Sequence, residues 1–86
     1  MERGADLEKL RDLSKEFHKK SAELHALVKY LDARTKSSES FWKGPKANQF
    51  RQEWDSVRPT FDTFAETLES ASRSARTNAD NIERAT

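Results

Sequence analysis

The chain has 86 residues, no cysteine, two glycines, two prolines and a formal net charge of +1, with 36% of residues charged and 34% hydrophobic. So short a chain buries a core only marginally by itself, and without cysteine neither a disulfide framework nor a thiolate metal site can brace it, which leaves association with another chain. Charges of both signs interleave, as Lys15, Lys19 and Lys20 do with Asp12, Glu16 and Glu23, which argues against a nucleic-acid patch.

No apolar run is long enough for a stable membrane span, and Met1-Glu2-Arg3-Gly4-Ala5-Asp6 lacks the basic and then apolar regions of a secretory signal. From Leu7 the apolar positions take helical spacing, with Leu10, Phe17, Leu24 and Leu31 seven apart and Leu7, Leu13, Leu27 and Val28 beside them. Asp6 suits the N-cap, Glu8 the positive helix end, and Arg34 and Lys36 the negative one. A first helix is predicted over about residues 6–36, about 45 Å long.

Ser37-Ser38-Glu39-Ser40 then breaks the pattern with side chains that hydrogen-bond to local backbone, and a turn is predicted over 37–44. Pro45 fits the first helical position and Gly44 its N-cap. The second helix is predicted over about 45–80, with a frayed tail beyond it. Ala47, Phe50, Trp54, Val57, Phe61, Phe64, Leu68, Ala71, Ala75 and Ile82 step by three and four along it, with Asn78 the polar interruption. That heptad spacing implies helices crossing at about 20°. Pro59 lies opposite the apolar stripe, so a kink near residues 55–59 is expected and not a chain break.

The expected fold is all-α: one antiparallel helical hairpin over residues 1–86 that dimerises into a four-helix bundle. Two helices alone cannot surround two apolar stripes. Burying a Leu or Phe contributes about 1.5–3 kcal/mol, so half a dozen partly exposed large residues suffice to drive pairing. The expected hairpin and dimer core is Leu10, Phe17, Leu24, Leu31, Phe50, Trp54, Val57, Phe61, Phe64 and Leu68.

Catalytic chemistry is not readable. His18 and His25 stand seven residues apart, about 10 Å along a helix, too far to hold one metal, and read as flank or interface residues. No nucleophile triad, phosphate-cradling loop or calcium-loop spacing occurs. Carboxylates pair with bases at helical intervals, Glu8 with Arg11 and Glu16 with Lys20, as surface ion pairs. Neither cofactor nor metal is expected, and the chain is not read as an enzyme.

Trp42 and Gly44 lie in a Trp-X-Gly turn midway along this cysteine-free hairpin, followed by Ala47, Phe50 and Trp54. Here the chain resembles the WXG family, the ESAT-like proteins exported by the type VII (ESX) secretion system. The resemblance implies a head-to-tail dimer of hairpins, transported folded without a cleaved signal from a cytoplasmic pool. It also implies that Trp42 and Gly44 sit at the bundle end that the secretion ATPase or a partner's tail helps recognise. Many members carry Tyr-X-X-X-acid after the second helix. This chain reads Asn78-Ala79-Asp80-Asn81-Ile82-Glu83-Arg84 there, and its one tyrosine is Tyr30. Resemblance to two-gene pairs then implies the tail-less partner of a heterodimer in preference to a homodimer. The alternative class is a cytosolic coiled-coil adaptor or targeting chaperone for a secreted toxin.

Overall fold

A computed structural model describes residues 6–85; the Met1–Ala5 segment read above for a signal pattern lies outside the described residues. Helix α1 spans Leu7–Ser37, a single 3₁₀ turn spans Ser38–Ser40, and helix α2 spans Pro45–Ala85. The two helices pack against each other as an antiparallel hairpin measuring 63 × 16 × 15 Å.

Local chemistry sets the helix ends. The Asp6 carboxylate accepts from the Lys9 amide at 3.1 Å, and its carbonyl accepts the first helical bond from Leu10. At the start of α2 the Gly44 carbonyl accepts from Asn48, and Pro45 takes the first helical position, where its missing amide costs nothing. Gly44 has φ of +109°, a conformation that side chains strain to adopt. α2 passes through exposed Pro59 without interruption and continues beyond residue 80 to Ala85. Its last turns are held because Asp80 and Glu83 both bind Arg11 of α1.

Apart from Trp54 and Val28, the large apolar side chains are not what closes the hairpin. On α1 the buried row is Ser14, Ser21, Val28 and Thr35, seven apart and four residues offset from the expected Leu10–Leu31 row. On α2 it is Ala47, Trp54, Ala65, Ser72, Ala75 and Ala79. The main steps of this row are seven, with one of eleven between Trp54 and Ala65. A nearly straight helix drifts about 20° per heptad against a strict 3.5 repeat, so the buried row moves sideways by one position. For that reason Asn78, expected on the seam, is exposed, and Ala79 is buried in its place.

Small residues let the helices approach, and hydroxyls then reach across to the opposite backbone. Ser14 Oγ donates to the Ser72 carbonyl at 2.7 Å, Ser72 Oγ donates to the Ser14 carbonyl at 2.6 Å, and Ser21 Oγ donates to the Ala65 carbonyl at 2.7 Å. Among the described residues no buried side-chain polar atom lacks a partner. Such bonds each contribute about 0.5–1.5 kcal/mol net, and much more is lost if one partner alone is removed.

Candidate functional site

The seam divides the rod into two unlike flanks. On one side of the seam, the leucines of α1 and the aromatics of α2 form one continuous apolar face. Within the single hairpin only Trp54 of the expected core is buried, at 7% exposure. Leu10, Phe17, Leu24 and Leu68 are half-buried, while Leu31, Phe50, Val57, Phe61 and Phe64 are exposed, Phe64 at 54%. Leu13 and Leu27 widen the same face. Trp54 and Phe61 stack at 6.4 Å between centroids within it.

The opposite flank is stitched by charge. Arg11 reaches Asp80 at 2.8 Å and Glu83 at 2.5 Å, His18 Nδ1 lies 2.8 Å from Glu69, and Arg58 lies 3.0 Å from Asp32. The ion pairs expected along α1 are thus replaced. Arg11 turns to α2 and not to Glu8, and Lys20 meets Glu23 at 3.1 Å and not Glu16. Carboxylates on the facing helix lie closer to Arg11 than those on its own, and two of them raise its pKa, Asp80 first and then Glu83.

Asp32 anchors the middle of this flank. Its carboxylate accepts from Lys36 at 2.9 Å and from the Trp54 indole N–H at 2.9 Å. The Lys36 bond first, then the indole and Arg58, hold this carboxyl well below the usual carboxylate range. Trp54 is therefore fixed from both directions, with its ring against the apolar face and its N–H on the polar one.

The third feature is the tip. Phe41 is 67% exposed and Trp42 is exposed, its ring 5.7 Å from that of Phe50. Backbone bonds set the loop, since the Trp42 and Phe41 amides both donate to the Ser38 carbonyl. Arg51 then ties it to α2 by donating to Ser38 Oγ at 2.9 Å and to the Trp42 carbonyl at 3.0 Å. A Cβ at Gly44 would meet nothing within 4 Å, so glycine is required by φ and not by space. Trp42 and Gly44 are thus displayed together at the end of the rod. Ser38 is legible in the sequence as part of the turn, whereas Arg51 and Asp32 carry no motif. Their only signal is a polar residue beside the seam on a helix whose partner face was not yet known.

Among the described residues no group of His, Cys, Asp or Glu is placed to hold a metal ion, and no helix is long and apolar enough to cross a membrane. What the arrangement can do chemically is bind: a long apolar face for another helical surface, and an aromatic tip at one end of it.

Comparison with known proteins agrees with this architecture. The sequence model of WXG100, proteins of 100 residues with WXG, matches residues 4–85. The solved structures that match include EsxA of Geobacillus thermodenitrificans in crystal form I, with a TM-score of 0.88 at 22% identity, covering 93% of this chain and 89% of that chain. At that identity the likeness is one of fold. No curated protein matches the chain.

Proposed function

The chain belongs to the WXG100 family, small helical proteins secreted by type VII systems without a signal peptide, and from that membership we propose that it is a non-catalytic substrate or co-substrate of such a system. The observation that carries this reading is the division of labour in the hairpin. The fold closes on small residues and Trp54, and its other large apolar side chains are left for a homologous hairpin laid head to tail. The pair travels folded and leaves the cytoplasm without a cleaved signal. Trp42 and Gly44, at the end of the rod, are the residues we assign to recognition by the secretion ATPase or by a partner's tail. Residues 78–84 do not carry the Tyr-X-X-X-acid pattern, which supports a companion hairpin as a bearer of that signal.

The test is export. The protein is expected in culture supernatant and is expected to vanish from it when the secretion ATPase is deleted. Strict retention in the cell would replace this reading with the cytosolic adaptor. Trp42→Ala, at an exposed tip position, is expected to reduce export while leaving the unfolding temperature nearly unchanged. An equal collapse of both would leave Trp42 only a packing role. Co-expression with a neighbouring small helical protein, followed by the mass of the complex, tests the companion.

A further inference from the structure

Charge on this nearly neutral chain is not spread evenly along the rod. Residues 34–51, which build the tip, carry five cations, Arg34, Lys36, Lys43, Lys46 and Arg51, against one acid, Glu39. Residues 52–72, the next stretch of α2, carry five acids against one cation, Arg58. The hairpin itself uses three of the five tip cations. Arg34 and Lys36 lie in the last turn of α1, where positive charge suits the negative helix end, and Arg51 ties the loop to α2.

Lys43 and Lys46 are different. Both are exposed, and neither makes an ion pair or a side-chain hydrogen bond among the described residues. Lys46 stands in the first turn of α2, which holds no acid, whereas the first turn of α1 holds Glu8. A cation at the positive end of a helix is unfavourable, so the fold alone would be better served by the opposite charge. Lys46 also lies one helical turn before Phe50, on the same face, and Lys43 follows Trp42 in the chain. The Trp42 ring lies 5.7 Å from that of Phe50. Exposed aromatic rings and unpaired cations thus share one end of the rod.

The shape of that end is fixed. Arg51 holds the Ser38 hydroxyl and the Trp42 carbonyl at once, and the Phe41 and Trp42 amides both donate to the Ser38 carbonyl. A lipid surface rewards apolar area and positive charge whatever their arrangement. A preorganised loop lowers the cost of binding only where the partner has a matching shape, which favours a protein.

We infer that Trp42, backed by Phe50, enters an apolar pocket of a partner protein whose rim carries carboxylates, and that Lys43 and Lys46 pair with that rim. This rests on the recognition role proposed above for Trp42 and names the chemistry of the surface that receives it.

The test compares the full chain with Lys43→Glu, Lys46→Glu and with Lys43→Arg, Lys46→Arg. A control, Lys15→Glu with Lys19→Glu, makes the same charge change at exposed positions of α1 about 30 Å from the tip by helical rise. Binding to the purified cytosolic region of the secretion ATPase is expected to be at least about tenfold weaker for the glutamates at the tip, and within about twofold of wild type for the other two variants. Wild-type binding is expected to weaken with added salt. The unfolding temperature of the tip glutamate variant is expected not to fall, because an acid suits the start of α2 better than lysine does.

Tip glutamates that bind like wild type, while Trp42→Ala does not bind, overturn the carboxylate rim and leave the recognition role standing. If Trp42→Ala also binds like wild type, both fall. An equal loss from the Lys15 and Lys19 control overturns the rim in favour of net charge. Wild type that sediments with phosphatidylglycerol vesicles but does not bind the ATPase region overturns the protein pocket in favour of an anionic membrane. Wild type that binds neither overturns the inference, and export is still decided by the supernatant.

Discussion

The two sides of α2 at neighbouring residues 64 and 65 behave oppositely. Ala65 is wholly buried and touches the Ser21 hydroxyl through its carbonyl, whereas Phe64 keeps more than half its surface in water. Apart from Trp54, small side chains hold the hairpin and the large ones do not. Closeness of approach governs the inner contact, because hydroxyls can bridge to a neighbouring backbone only when no bulk intervenes. Area governs the outer face, which lowers free energy only when something covers it.

The strongest blow to the inner contact is Trp54→Ala, which removes the one large buried ring and its bond to Asp32. A loss of about 3–5 kcal/mol is expected in chemical denaturation, and an unchanged midpoint would mean that the seam is not the source of stability. Next, Ala65→Leu is expected to cost about 2 kcal/mol by overpacking even in dilute protein. Phe64→Ala is expected to matter mainly where copies associate, lowering the concentration dependence of the unfolding temperature. If the two substitutions act alike at all concentrations, the division between seam and face fails. Ser72→Ala removes one of the reciprocal serine bonds and is expected to cost about 1 kcal/mol in the same measurement.

The smallest effect is on pH. The folded-state pKa of Asp32 is depressed below its ordinary value of 3.8, so its contribution is present above that value and is lost as pH falls through it toward the folded pKa. Thermal midpoints of wild type and Asp32→Asn are therefore expected to differ near neutrality and to converge as pH falls below about 4. A gap that stays constant with pH would remove the electrostatic part of this anchor.

Much of the architecture could be read from the sequence because it depends on strong local signals. Asp6, the Ser37–Ser40 break and Gly44-Pro45 mark ends, and the period of the large apolar residues marks helices. The same period marks Leu10, Phe17, Leu24 and Leu31 as hairpin and dimer core, while the row buried within the single hairpin is Ser14, Ser21, Val28 and Thr35 at equal spacing. Hydrophobic periodicity weighs size and greasiness, and a serine carries neither until a second backbone comes near enough to accept its proton. Likewise Arg51 became part of the tip only once the turn brought the Trp42 carbonyl to it. The tip residues themselves were readable because a Trp and a Gly next to a proline at a helix start are rare enough to stand out singly.

The slenderness of the rod has a consequence for transit. It is 16 × 15 Å across for 63 Å of length, and two such rods lying side by side stay on the order of 25 Å across with helices of about 10–12 Å diameter. A conduit that admits the folded pair needs at least that bore along its whole length, whereas a narrower one would demand that the two hairpins part company at its mouth.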